Sequence, residues 1–229
     1  MLCIFDLDGT LIDSLSDLAG ACNAVLRARG LPEHEAAAYR YFVGDGVGKL
    51  IERMLPEQAR TPQICRACRE AFDTYYHDHC MDATAPYDGI LPLLDMLAAQ
   101  GVKTAVLSNK PDGFVRQICD TIFGAGRFSV VFGQRDGVPN KPDPAGILQV
   151  MRQTGELPEN TVMIGDSGMD MAAAVRAKVR GIGAAWGFRT AEELRKSGAQ
   201  DIADTPEQLE RQLQTWIEKG NDNAVHRFI

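Results

Sequence analysis

Short apolar runs, separated by polar loops and by helical periodicities, organise this chain. Leu2 to Phe5, Thr104 to Leu107, Val130 to Phe132 and Thr161 to Ile164 are each too short for a helix and lack strict alternation. That is the pattern of strands covered on both faces. Gly181 to Ala184 is a weaker fifth run. Between the strands, Ile90 to Gln100 puts Leu91, Leu94, Leu97 and Ala98 on one predicted helical face and stops at Gly101, suited to a helix C-terminus. Pro142 to Thr154, Met169 to Lys178 and Pro206 to Lys219 read similarly. Strands alternating with helices predict an α/β fold built on a parallel sheet with right-handed crossovers.

One stretch breaks the rhythm. From Ser14 to about Ala83 the pattern is helical only, beginning with Leu15, Leu18, Cys22, Val25 and Leu26 and closing at Gly30-Leu31-Pro32. A block of this kind after the first strand predicts an all-helical insert, residues 16–81, within a core made of residues 1–15 and 82–229. Its linkers are expected near Asp13 to Ser16 and Met81 to Pro86, and Gly220 to Ile229 is expected to be a frayed polar tail.

Composition narrows the class. The chain has 229 residues, 45% of them hydrophobic and 24% charged, enough to bury a sizeable core and too apolar for a disordered chain. Its 31 acidic against 24 basic side chains give a net charge of −7 with no basic stripe, which argues against a nucleic-acid partner. No run approaches the roughly 18 apolar residues of a membrane span. Met1-Leu2-Cys3-Ile4-Phe5-Asp6 lacks the basic start of a signal peptide, so the six cysteines are expected to be reduced thiols of a cytoplasmic protein. A monomer or small homo-oligomer is expected.

Open parallel sheets bind ligands beyond the carboxyl ends of their strands, so the residues after each run carry the chemistry. Those residues are Asp6-Leu7-Asp8-Gly9-Thr10, Ser108-Asn109-Lys110 and Gly165-Asp166-Ser167-Gly168-Met169-Asp170. The run at Val130 leads instead, through a loop, into Lys141-Pro142-Asp143-Pro144. Singly, each has a plain structural reading: Asp6, Asp8, Asp166 and Asp170 as helix caps, Lys141 as a solvated lysine. Together they converge on one sheet edge, where clustered carboxylates repel and need a cation. Oxygen-only ligands suit Mg²⁺.

These motifs, in this order, resemble the four motifs of the haloacid dehalogenase superfamily, over residues 1 to about 215. The helical insert is similar to that family's cap on a Rossmann-like core. Phe42-Val43-Gly44-Asp45-Gly46, Ser108-Asn109-Lys110-Pro111, Trp186-Gly187-Phe188 and Gly198-Ala199 resemble its phosphoglycolate phosphatase-like members. The resemblance implies roles. Asp6 is the expected nucleophile, forming an aspartyl-phosphate, and Asp8 the expected general acid and base. Mg²⁺ is expected on Asp6, the Asp8 carbonyl, Asp166 and Asp170, the last directly or through water. Lys141, Ser108 and the Asn109 backbone are expected to hold phosphoryl oxygens. A carboxylate at Asp8 favours phosphate esters over halide displacement, because halide leaves without a proton.

The implied substrate is a small phosphorylated metabolite, with 2-phosphoglycolate the specific expectation. Other small-metabolite phosphatases, a pyrophosphatase, a β-phosphoglucomutase-like sugar phosphomutase and a non-catalytic phosphate-binding module are the alternatives. Two further constellations lie in the insert. Gly44-Asp45-Gly46-Val47-Gly48-Lys49 reads either as a flexible turn or as a specificity loop over the site; the resemblance favours the second and makes Gly44, Gly46 and Lys49 candidates, with Arg53 also available to meet an anion. Cys65-x-x-Cys68 with His77, His79 and Cys80 looks superficially like a zinc site. Cys65, Cys68, Phe72, Tyr75, Tyr76 and His79 nevertheless fall at helical steps, so core packing is the expected role.

Overall fold

A computed structural model describes residues 1–225, with side chains through Lys219. Strand β1 (Leu2–Phe5) is wholly buried and delivers Asp6 beyond its carboxyl end. After the short β2 (Ile12–Asp13) the chain leaves the sheet through four helices, α1 (Leu15–Ala28), α2 (Ala36–Phe42), α3 (Val47–Met54) and α4 (Pro62–His79). α4 starts cleanly because Thr61 accepts the Ile64 amide at 3.3 Å and Pro62 occupies the first turn. The chain returns at β3 (Ala85–Pro86), antiparallel to β2, with Ile12 opposite Pro86 and Asp13 opposite Ala85. Beside this ribbon the buried Asp17 accepts the Ala83 and Thr84 amides and the Thr84 hydroxyl at 2.7–3.0 Å.

The remainder alternates as the pattern predicts: α5 (Ile90–Ala99), β4 (Lys103–Pro111), α6 (Asp112–Phe123), β5 (Val130–Gln134), α7 (Ala145–Thr154), β6 (Thr161–Gly165), α8 (Gly168–Ala177), β7 (Arg180–Ala184), α9 (Ala191–Lys196), β8 (Asp201–Ala203) and α10 (Pro206–Val225). Six strands form one sheet in the order β5-β4-β1-β6-β7-β8, every pair parallel. Cys3 and Phe5 of β1 face a core shared with α5, α6, α10 and the helical insert. Leu2 and Ile4 face α7 and α8. The chain winds outward from β1 through β4 and β5, then restarts on the other side at β6. The order therefore reverses at β1 and β6, where such sheets open a crevice.

Several sequence expectations need correction. α5 buries Ile90, Leu93, Leu94 and Leu97, whereas Leu91 and Ala98 are exposed. The face is set by packing on the sheet, and a run with four leucines permits a rotation that periodicity alone does not resolve. α7 starts at Ala145 rather than Pro142, after a turn in which the Asp143 carboxylate accepts the Ala145 amide at 2.8 Å. Strand β4 runs on through Ser108, Asn109 and Lys110, with a register shift before Pro111. β8, α6 and α9 were not singled out by the pattern. The expected tail begins inside α10, which is helical to Val225; residues 226–229 lie outside the described part.

Candidate active site

The strand ends bring the motif residues to one point. Asp6, Asp8, Ser108, Asn109 and Lys110 line one small cavity with Gly44 and Gly46 of the insert. Around Asp6 the backbone turns back at once, the Thr10, Leu11 and Ile12 amides all donating to the Leu7 carbonyl. Gly9 makes this possible with φ +83°, and a Cβ there would lie 2.2 Å from Asp166 Oδ2. Only glycine meets both demands.

Asp6 Oδ1 accepts the Leu7 amide at 2.7 Å and lies 2.9 Å from Lys141 Nζ. Lys141 also donates to Asp170 Oδ1 at 2.6 Å and to the Leu107 carbonyl at 2.7 Å, which occupies all three of its hydrogens. Asp170 Oδ2 accepts the Ser167 amide and hydroxyl at 3.1 and 2.6 Å, closing the first turn of α8 as a capping box. The capping reading of Asp170 and its place in the cluster thus coexist. Asp166 accepts Thr10 Oγ1 at 3.3 Å and the Phe188 amide at 2.8 Å. Trp186 Nε1 donates to the Thr10 carbonyl at 3.0 Å, so the Trp186-Gly187-Phe188 segment braces this carboxylate.

Asp6, Asp166 and Asp170 offer oxygens that lie within 4.8 Å of one another, all buried. Burial, then the neighbouring Asp170 charge, pushes Asp6 up to about 7, despite the opposing pull of Lys141. Burial and the Asp6 charge likewise hold Asp166 well above the ordinary carboxylate range. A hard cation relieves this repulsion, and oxygen-only ligands are the kind that Mg²⁺ takes. The residues present therefore fit such an ion. No other group of three or more Cys, His, Asp or Glu with that spacing occurs among the described residues. Cys65, Cys68, His77, His79 and Cys80 form no such cluster: Cys68, Phe72 and Tyr76 face the core, while His79 turns outward onto Tyr75 and Asp82.

Asp8 Oδ1 accepts Ser14 Oγ at 2.6 Å and Lys110 Nζ at 2.8 Å. The Ser108 hydroxyl accepts the Lys110 amide at 3.2 Å. The Asn109 side chain is spent on scaffolding: its amide donates to the Lys141 and Gly44 carbonyls, and its carbonyl accepts the Lys141 amide at 2.9 Å. Gly44 and Gly46 come to the site with φ +118° and +86°, and a Cβ on Gly46 would lie 3.3 Å from the Asn109 carbonyl. Lys49 does not come with them. It pairs with Glu52 at 2.7 Å on an exposed face. Arg53 turns away too, onto Asp45 and the Phe42 carbonyl.

Lys110, quoted in the run after its strand but given no role, and Tyr76, expected only to pack in the core, meet at the site in a way that sequence reasoning missed. Lys110 Nζ is buried between Asp8 and the Tyr76 hydroxyl, 2.8 Å from each. Burial opposes its charge, but the Asp8 carboxylate more than offsets that and keeps it protonated. Two arginines staple the insert to the core: Arg40 donates to the Gly187 carbonyl at 2.5 Å, and Arg189 to the Arg40 and Val43 carbonyls.

Comparison with known proteins places this arrangement. Residues 3–184 match the family model of haloacid dehalogenase-like hydrolases. The phosphoglycolate phosphatase of Pseudomonas putida is 35% identical over 192 residues, covering 82% of this chain and 70% of its own. That of Aquifex aeolicus is 34% identical over 185 residues, covering 81% and 84%. A solved structure from Lactobacillus delbrueckii subsp. bulgaricus, of a protein proposed to be a phosphoglycolate phosphatase, superposes with a TM-score of 0.86 at 33% identity, over 91% of this chain and 96% of that one. The chain therefore belongs to the haloacid dehalogenase-like hydrolase family, as a phosphatase.

Proposed function

We propose that the protein is a Mg²⁺-dependent phosphomonoesterase that works through an aspartyl-phosphate on Asp6, with 2-phosphoglycolate as its substrate. The observation that carries this reading is that Asp6 and Asp8 line one small cavity whose remaining walls are largely apolar. In the first half-reaction an Asp6 oxygen bonds to phosphorus, the ester P–O bond breaks, and Asp8 gives its proton to the departing alkoxide. In the second, Asp8 takes a proton from water as the water oxygen attacks phosphorus, which releases phosphate and restores the Asp6 carboxylate. Lys141 meets the charge of the nucleophile, and Ser108 and the Asn109 backbone face the phosphoryl oxygens. Asp6, Asp166 and the Asp8 carbonyl would hold Mg²⁺, with Asp170 supporting them from behind through Lys141 and Ser167. When bound, the ion supplies the positive charge that offsets nucleophile and phosphoryl oxygens.

The helical layer acts as the cap that completes the cavity. Leu18, Val47, Leu50, Phe72 and Phe114 would leave the hydroxyls of a hexose unpaired, which disfavours a sugar phosphate. Relatives named phosphoglycolate phosphatase add support. The test is phosphate release from a panel holding 2-phosphoglycolate, sugar phosphates, nucleotides and pyrophosphate, with Mg²⁺ and then with EDTA. The expected outcome is highest kcat/KM for 2-phosphoglycolate, loss on chelation with recovery in excess Mg²⁺, and at least about 10³-fold loss in the folded Asp6→Asn variant. Full activity in that variant would refute the nucleophile, turnover surviving exhaustive chelation would refute the ion, and another preferred ester would refute the substrate.

A further inference from the structure

Among the cavity-lining residues, Lys110 holds the uncommitted hydrogen-bonding capacity of a buried cation. Lys141 spends its three hydrogens on Asp6, Asp170 and the Leu107 carbonyl. Arg40 and Arg189 are occupied at the interface between insert and core. Lys110 donates to Asp8 and to Tyr76, and its third hydrogen has no partner among the described residues although the residue lines the cavity. The Tyr76 oxygen accepts from Lys110, so the phenol's own hydrogen remains available to a ligand. The ring beneath is fixed by Phe72, stacked at 5.2 Å, and by Phe114, edge-on at 5.2 Å. An ammonium and a phenol, both buried and both lining the chamber that Asp6 and Asp8 also line, make a receptor for a second anionic group.

Distance sets the class of that anion. If Asp8 hands its proton to the ester oxygen at about 2.7 Å, the 2.8 Å between Asp8 and Lys110 Nζ leaves room for only a short span beyond that oxygen. A carboxylate borne directly on the ester carbon fits that span, and one carried farther out overshoots it. We propose that Lys110, with the Tyr76 hydroxyl, binds the carboxylate of a short phosphorylated 2-hydroxy acid and so selects it over phosphomonoesters of uncharged alcohols. This rests on the phosphatase reading above and names the residues that would give it selectivity. Tyr76 comes from α4, so the receptor is complete only while the helical layer covers the core. Lys110 is here a specificity residue rather than a member of the phosphoryl-transfer machinery.

The test compares wild type with Lys110→Met and Tyr76→Phe on two substrates of similar size, 2-phosphoglycolate and ethyl phosphate. The readout is the ratio of their kcat/KM values, because a lysine that only positions Asp8 lowers both rates together and leaves the ratio alone. Lys110→Met is expected to cut the ratio roughly 30- to 100-fold, the scale of one lost hydrogen bond between charged groups, and Tyr76→Phe several-fold. A ratio unchanged in Lys110→Met overturns the proposal. A non-hydrolysable pair, 3-phosphonopropionate and propylphosphonate, followed by calorimetry, separates this failure from failure of the phosphatase reading. Should wild type release no phosphate at all, tighter binding of the carboxylated phosphonate that disappears in Lys110→Met still upholds the receptor, and equal binding of the two phosphonates refutes it.

Discussion

At the scale of single residues, the site depends on how little space surrounds its carboxylates. Gly9 is pinned between a left-handed backbone and Asp166, 2.2 Å from where a Cβ would stand. Gly9→Ala should therefore strain the turn by about 1 kcal/mol and push Asp166 aside. A displacement near 1 Å in such a site costs on the order of 10²-fold in rate, so kcat/KM should fall by about that factor while circular dichroism reports an intact fold. Near-normal turnover would mean that Asp166 need not stand where it does. Asp6 and Asp8 were readable in sequence because each follows a wholly apolar run by a fixed step. The pairing of Lys110 was not, since its partner Tyr76 is 34 positions away on another element. Only folding brings an ordinary-looking lysine under a phenol.

Secondary-structure elements were legible in proportion to their contrast with their surroundings. β1 is an uninterrupted apolar run and β6 carries Val162-Met163-Ile164 after Thr161, and both stood out. β8 is three residues beginning with Asp201, and β2 and β3 are two residues each, too short for any periodicity to register. α5 shows the opposite problem: it is so apolar that the pattern did not fix which face is buried. Contacts between helical layer and core include arginines on backbone carbonyls, Arg40 on Gly187 and Arg189 on Arg40 and Val43, with Arg189 also lying over the Tyr41 ring at 5.1 Å. Removing the second staple with Arg189→Ala should loosen the segment from Arg40 to Gly46. Its amides should exchange with solvent about tenfold faster, as expected for the loss of about 1.4 kcal/mol, while β1 and β6 keep their protection. Unaltered exchange in that segment would mean that other contacts hold the layer in place.

On the whole-molecule scale, the buried charges form one account. Asp6 and Asp170 share Lys141, Asp8 pairs with Lys110, and Asp166 is in no ion pair among the described residues. The raised value of Asp6, about 7 against an ordinary value near 4, fixes the sign of a pH effect. Between those values the folded chain binds a proton that the unfolded chain has released, so stability falls as pH rises across that window and levels off above it. In EDTA, the melting temperature should thus drop from about pH 4.5 to about pH 7.5. Mg²⁺ at about 100 times its Kd should raise it near pH 7.5 by about 5–10 °C. A melting temperature that climbs with pH in EDTA would contradict the clustered-charge account.

The ribbon of β2 and β3 has a consequence for how the chain can vary. Asp13 and Ala85 are paired neighbours, so the sheet-forming chain is already closed where the helical excursion begins and ends. The excursion behaves as a loop sutured at its neck. Closing a loop grows costlier only with the logarithm of its length, about 0.6 kcal/mol per doubling. Helices could be added, shortened or exchanged beyond that neck while the strand ends holding Asp6, Ser108 and Asp166 keep their places. Tyr76 lies beyond the neck and the acids lie inside it, so the lineage can revise what the molecule recognises without rewriting the chemistry it performs.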